Sequence, residues 1–178
     1  NGHTLTVDAN YTCSALSFSS ASGTISVSNG IVLTVTNAVT LNSLVGASTA
    51  CTVSGLGTLN CASLNVGTAV TPTSNSLTAI MTSTLSFLNV TGNVTLTATA
   101  NGGSKRVDPS LLIGTGTLDA NGSITTVNAA GTTSTVSMNT GGGSGTLDLS
   151  AAGPFSLSGT GTNVINLNGT GSTVNYSG

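Results

Sequence analysis

One pattern constrains this chain more than any other: apolar residues alternate with Thr, Ser or Asn in short runs, and Gly or Asn separates the runs. Clear cases are TISV at 24–27, VLTV at 32–35, SLNV at 63–66 and TLDL at 146–149. A period of two is that of a β-strand with one buried face and one face toward water. Gly and Asn favour the turns between strands. The sequence therefore predicts an all-β chain of short strands.

The alternation also predicts which side chains face the core. We expect the apolar members of the clearest runs to point inward and their Thr, Ser and Asn neighbours to point outward. The predicted inward set is Leu5, Val7, Leu16, Phe18, Ile25, Val27, Leu33, Val35, Leu64, Val66, Leu147 and Leu149.

Composition supports a folded all-β chain. Charged residues make up 3% of the 178 residues, hydrophobic residues 38%, and the formal net charge is −2. Disorder goes with low hydrophobicity and high net charge, which is the opposite balance. The absence of Glu and Gln removes the usual surface of a helix. We expect one domain, 1–178, with a protruding loop at 101–109, where the alternation breaks and half of the charges lie.

Two all-β architectures fit strand centres eight to ten residues apart: a solenoid of short parallel strands and an antiparallel sandwich. Internal similarity favours the solenoid. GTGTLD at 114–119 returns as GSGTLD at 143–148, and CSALSF at 13–18 resembles CASLNV at 61–66. The repeats have no single period, so the coils must differ in length. The alternative is a pilin-like β-sandwich completed by a donor strand such as residues 4–7.

The stretches NGHTLTVDANYTCSALSF at the start and GTGSTVNYSG at the end resemble β-solenoid segments of large secreted bacterial surface proteins, of the adhesin and autotransporter-passenger type. The resemblance covers most of the chain and is one of composition. It implies a right-handed parallel β-helix that lies outside the cell, is secreted to the cell surface, and has a structural or adhesive role. It carries no catalytic residues.

The sequence predicts no enzyme, no cofactor and no metal centre. A catalytic triad needs a His held by an Asp, and His3, the one histidine, stands at the extreme N-terminus, where chains usually fray. Asp119 and Asp148 follow equivalent Gly-Thr-Leu motifs and are expected to stack outward on neighbouring coils. We interpret them as solvent-facing residues that discourage unwanted pairing. A weak calcium site is the alternative, because hard cations take several oxygen ligands.

Nucleic acid and membrane are not expected partners. Lys105 and Arg106 are the chain's only basic residues, and phosphate binding needs clusters of them. No apolar run approaches the ~20 residues of a membrane-spanning helix.

The cysteines and the glycosylation motifs leave alternatives open. Cys51 and Cys61 either form a disulfide across one turn, leaving Cys13 free, or all three cysteines are small buried apolar residues. Six Asn-x-Ser/Thr motifs are candidate glycosylation sites, in about the number that chance predicts. They begin at Asn10, Asn89, Asn93, Asn121, Asn168 and Asn175.

The expected function is that of a structural subunit of an extracellular filament or surface fibre. Both ends of the sequence are strand-like, and solenoids that stay soluble usually close their ends with polar caps. We therefore expect copies to associate head-to-tail as a homopolymer through Leu5 and Val7 of one copy and Val174 and Tyr176 of the next. The alternative is an adhesive or carbohydrate-binding solenoid segment of a larger cell-surface protein, with glycans or other cell-surface components as partners.

Overall fold

The computed structural model describes residues 3–18, 22–42, 49–73, 77–102, 104–138 and 144–178, and every helix or strand element among them is a β-strand. The strands in chain order are β1 (His3–Val7), β2 (Tyr11–Cys13), β3 (Leu16–Phe18), β4 (Gly23–Val27), β5 (Val32–Leu41), β6 (Thr49–Gly55), β7 (Thr58–Gly67), β8 (Leu77–Ser83), β9 (Phe87–Val90), β10 (Val94–Ala100), β11 (Arg106–Ile113), β12 (Gly116–Ala120), β13 (Ile124–Asn128), β14 (Thr133–Met138), β15 (Gly145–Leu149), β16 (Phe155–Gly159), β17 (Thr162–Asn166) and β18 (Thr173–Tyr176).

These strands wind into a β-solenoid with two sides. Side A stacks β1, β4, β6, β8, β11, β14 and β17 as parallel neighbours. Side B stacks β2 and β3, then β5, then β7, then the pairs β9/β10, β12/β13 and β15/β16, and finally β18 over β15. A rung is one strand of side A together with the strands of side B that follow it in the sequence. A column is the set of residues that pair in register from one rung to the next. The parallel pairing confirms the solenoid and shows that the sandwich alternative is wrong.

The internal repeats seen in the sequence are column partners in the structure. Leu118 pairs with Leu147 and Asp119 with Asp148, 29 residues apart, in neighbouring rungs. Cys13 and Cys61 belong to one column through Val35, two rungs apart. Rung length varies, because Cys51 pairs with Met81 thirty residues later, whereas His3 pairs with Gly23 only twenty residues later. This variation is why the sequence has no single period.

Columns of inward Val, Leu and Ile form the core. The column Leu33, Leu59, Leu88, Leu118 and Leu147 runs through five rungs with each side chain at most 4% exposed. Each side chain packs against the same position in the rungs above and below, about 4.8 Å away. Burial of a Leu or Val is worth about 1.5–3 kcal/mol, so these columns carry most of the stability.

The predicted facing is confirmed for most of the inward set and wrong for Leu5. Leu16 and Phe18 are partly buried against the core. Nine residues of the set are buried: Val7, Ile25, Val27, Leu33, Val35, Leu64, Val66, Leu147 and Leu149. Leu5 is the column partner of buried Ile25, yet it is 54% exposed. It belongs to the first rung, and the described residues provide no rung beneath it.

The corners between the two sides depend on glycine where the backbone adopts positive φ. Gly55 (φ 109°) and Gly116 (φ 76°) stand at the corner that leads from side A to side B. A Cβ atom at Gly55 would lie 2.1 Å from the carbonyl oxygen of Val27 in the rung below. Only glycine combines this conformation with so close an approach of two backbones.

The loop expected at 101–109 is shorter than predicted. Strand β11 begins at Arg106 and belongs to side A, and its residues 107–109 pair with β8. Residues 101, 102, 104 and 105 lie between β10 and β11, whose ends pair antiparallel at Thr99–Val107 and Ala100–Arg106. Arg106 and Asp108 form an ion pair at 2.7 Å (Nε to Oδ2). Two of the three charges that suggested a loop, Arg106 and Asp108, therefore lie on a strand, and Lys105 directly precedes it.

A pair of neighbouring substitutions tests the facing. Val27→Asp places a carboxylate at a fully buried position and should lower the free energy of unfolding by ~3 kcal/mol or more. Ser26→Asp changes the adjacent outward position and should cost less than ~0.5 kcal/mol. Urea denaturation followed by circular dichroism measures both. Equal destabilisation by the two variants would contradict the register.

Candidate functional site

The two ends of the stack differ from every other part of the solenoid, because their strands pair on one edge only. At the first rung, β1 pairs with β4, and β2 and β3 pair with β5. At the other end, β16, β17 and β18 pair with β13, β14 and β15 and with no other described strand. We call the free side of β1, β2 and β3 the N-face, and the free side of β16, β17 and β18 the C-face. Each presents unpaired backbone groups and the cross-section of the core.

The N-face opens into an apolar cavity. Leu5 and Tyr11, both inward members of their columns, are 54% and 64% exposed. The cavity has a volume of about 480 Å³, and its lining includes Leu5, Val7, Tyr11, Cys13, Leu16 and Leu33. Column partners of these residues in the second rung, such as Ile25 and Leu33, are buried. Residue type therefore does not account for the exposure: within the described ranges, these positions have a neighbouring rung on one side only.

The C-face exposes the last members of the same kind of column. Val174, Tyr176 and Leu157 are 42%, 55% and 48% exposed. Their respective column partners Leu147, Leu149 and Thr126 are all buried. The hydroxyl of Tyr176 donates a hydrogen bond to the carbonyl oxygen of Ala152 at 3.1 Å. This bond holds the ring against the preceding rung, so the C-face is an ordered apolar surface.

Three of the four residues predicted to mediate self-association are exposed on these faces. Leu5 lies on the N-face, and Val174 and Tyr176 lie on the C-face; Val7 is 9% exposed and belongs to the core. The two sets lie roughly 29 Å apart along the stack, since six rung spacings of about 4.8 Å separate them. They cannot meet within one molecule. Self-association stays a prediction.

Sequence reasoning missed Tyr11 and Leu157. Tyr11 heads the column that contains Leu33, and Leu157 ends the one that contains Thr126. Both are among the most exposed apolar side chains of the chain. The register of the repeats could have identified both residues. The first and the last member of each column have a neighbouring rung on one side only, whatever their position in the sequence.

A buried polar network ties the last rung to the rest of the stack. Asn128 is 2% exposed, and its Nδ2 donates to the carbonyl oxygen of Thr162 and to Oδ1 of Asn163, each at 2.8 Å. Its Oδ1 accepts a hydrogen bond from Ser134 Oγ. A buried amide with its partners satisfied specifies one arrangement of its neighbours. The position of β17, and with it the C-face, is therefore well defined.

An outward column of polar side chains follows side B. Its members are Thr12, Thr34, Asn60, Asn89, Asp119, Asp148 and Asn175. Asn89 Nδ2 donates to Asn60 Oδ1 at 2.8 Å, and Asn175 Nδ2 donates to Asp148 Oδ1 at 2.7 Å. The stacking of Asp119 on Asp148 is confirmed. Across the residues that the structure describes, no three His, Cys, Asp or Glu side chains lie close enough to hold a metal ion.

The proposed Cys51–Cys61 disulfide is absent, because all three cysteines are free. Cys51 lies in β6 on side A and Cys61 in β7 on side B, and both are buried. Burial raises the pKa of each of these two thiols to about 12, since desolvation disfavours the thiolate. Cys13 is half-buried at the N-face. For Cys51 and Cys61 the alternative of small buried apolar residues describes the structure.

The candidate glycosylation sites differ in accessibility. Asn10, Asn93, Asn121, Asn168 and Asn175 are exposed, whereas Asn89 is half-buried within the outward polar column. Asn10 Oδ1 accepts the backbone N–H of Val32 at 2.9 Å, and Asn93 Oδ1 accepts that of Ser123 at 3.0 Å. Those two amides support corners of the fold. Asn168 lies outside the strands, beside a tight turn. Glycosylation stays a prediction at all six.

Comparison with family models, with curated proteins and with solved structures finds no match for this chain. No helix of the described ranges is long and apolar enough to cross a membrane. The fold and the geometry of the two end faces are therefore the basis for the function proposed below.

Thiol reactivity tests the placement of the cysteines. In dilute native protein at pH 8, an aromatic disulfide reagent should modify Cys13 alone. Cys51 and Cys61 are shielded by the core, and at this pH their thiols stay protonated because their pKa is about 12; the thiolate is the reactive form. After unfolding in guanidinium, all three should react. Equal reaction rates for the three thiols in the native protein would contradict this core.

Proposed function

We propose that this protein is a structural subunit of an extracellular filament or surface fibre, in which the C-face of one copy stacks on the N-face of the next. The observation that carries the proposal is the exposure of Leu5, Tyr11, Val174 and Tyr176 at inward column positions. The same positions are buried wherever a neighbouring rung covers them. A second copy supplies such a rung at each end.

The backbone supports the same contact. The free edges of β1 and β17 each present N–H and C=O groups in the spacing of a parallel strand, because both strands pair in parallel on their other edge. A parallel neighbour satisfies these groups with the hydrogen-bond pattern already used between rungs. Charge does not oppose the approach, since Asp8 is the only charged residue lining the N-face cavity and the strands of the C-face contain none.

The symmetry of the contact determines the product. The N-face and the C-face are different surfaces at opposite ends of a straight stack, so each added copy leaves one free face of each kind. A heterologous contact of this type does not close and generates a filament. A linear array of copies joined in this way is a fibre.

The location and the absence of catalysis belong to the same proposal. The resemblance in composition to secreted bacterial surface proteins supports a place outside the cell, at the cell surface. The outer columns consist mainly of Thr, Ser, Asn and Asp, which fit a solvated fibre surface. We propose no enzymatic activity, no cofactor and no nucleic-acid partner for the chain, and we propose other copies of itself as its main partner.

Two single variants, tested separately and mixed, examine the proposal. Wild-type protein should show a mass that rises with concentration in light scattering, and filaments in negative-stain images. Leu5→Lys should block the N-face and Val174→Lys the C-face, because each places a charge between apolar rungs. Each variant alone should remain a monomer. An equimolar mixture should form a dimer and stop, because one intact N-face meets one intact C-face.

Thr173→Lys is the matched control, since Thr173 is the outward, exposed neighbour of Val174 in β18. It should assemble like the wild type, and all variants should retain the wild-type circular dichroism spectrum. A wild-type protein that keeps the mass of one chain at the highest concentration would overturn the proposal. An adhesive segment that binds glycans or other surface components would then take its place. Homodimers of either blocked variant would also overturn it, because they require like faces to pair.

A further inference from the structure

We infer the register of the junction: each column of one copy continues without rotation into the same column of the next, so that Cys13 stands over Tyr176, Tyr11 over Val174 and Thr4 over Asn166. The inference rests on the proposed function and specifies the contact that the function requires. It follows from the columns themselves, which define where an added rung must place each side chain.

Three columns define this register because each runs from the N-face to the C-face. The first contains Cys13, Val35, Cys61, Val90, Ala120, Leu149 and Tyr176, and the second Tyr11, Leu33, Leu59, Leu88, Leu118, Leu147 and Val174. The third is the outward column Thr4, Thr24, Thr52, Thr82, Leu112, Ser137 and Asn166. A slip by one residue would turn every inward side chain outward. The alternation therefore excludes odd slips.

The shape of the cross-section excludes a rotated junction. On side B, β5 and β7 each run through the bend of the coil as one ten-residue strand. The corner from side A to side B is instead a turn that requires positive φ, at Gly30, Gly55 and Gly116 in three of the rungs. The sides are thus not interchangeable. Rotation of the upper copy would place β1 over side B of the lower copy, so that the columns and the corners of the two copies would no longer coincide.

The unrotated register leaves two strand edges unpaired at every junction, that of β16 in the lower copy and that of β3 in the upper copy. β17 and β18 lie in the rung after β16, so β1 and β2 of the upper copy cover β17 and β18 directly. β3 of the upper copy then lies two rungs above β16, a gap of roughly 9.6 Å. Leu157, 48% exposed on β16, lines this gap. The junction therefore pairs along two strands where an inner rung pairs along its whole length, and dilution should separate copies without unfolding them.

Cysteine cross-linking tests the register, with Cys13 as the native partner. Neighbours in a parallel pair have Cα atoms about 4.8 Å apart, which lies within the range that a disulfide spans. Tyr176→Cys should therefore form disulfide-linked ladders with Cys13 of the next copy under oxidised glutathione. Val174→Cys is the matched control on the same strand and face, displaced by two residues to roughly 8 Å, and should give at most a tenth of the cross-linked product. Ile165→Cys reports a rotated junction and should give as little.

Imaging of filaments without oxidant tests the proposed function, and cross-linking tests the register. The two proposals can therefore fail separately. Ladders from Tyr176→Cys alone support the register. Filaments whose Tyr176→Cys copies do not cross-link, or whose Val174→Cys or Ile165→Cys copies cross-link better, overturn the register while the filament stands. Wild-type dimers linked through two Cys13 residues overturn it too, because they place two N-faces together. Absence of filaments in the wild type overturns the function and the register together.

Discussion

Inward side chains in the inner rungs of this solenoid are buried by the same column position in the rung above and in the rung below. Val27 and Leu59 are fully buried through that contact, and Leu5 is exposed because it has the contact on one side only. The hydrogen bonds of the parallel ladders repeat with the same rung spacing. Among the described residues, burial and backbone pairing are therefore lost together at the same two surfaces, and the proposed self-association depends on these surfaces.

The unusual composition follows from this repetition. Each outward position has a counterpart about 4.8 Å away in the next rung. A charged side chain that recurs at this position in successive rungs is therefore repelled by its neighbour. Asp119 and Asp148 are such a pair, and Asn89 and Asn175 flank them. Thr, Ser and Asn avoid the repulsion, and they also hydrogen-bond along the column, as Asn60 and Asn89 do. A chain built of stacked rungs thus tolerates very few charges.

Alternation alone predicted the strands and most of the core, because a period of two relates each side chain to one face. Ile25 and Val35 are cases in which local sequence was sufficient. It failed where distant neighbours decide the outcome. In β13, Thr126 and Asn128 point inward and Val127 is 47% exposed, because pairing of Ile124 with Val94 determines the register. The end faces could be located only in part, since column partners lie from 20 to 31 residues apart, and this variation conceals which residue begins or ends a column.

Hydrogen exchange across a range of protein concentrations tests most directly whether the end rungs are covered by another copy. Amides of β7, which pair on both edges, should exchange slowly at every concentration. Peptides that contain β1 and β18 should exchange rapidly in dilute protein and become at least tenfold slower at the concentrations where mass increases. Rapid exchange of β1 and β18 at all concentrations, beside a protected β7, would contradict the account.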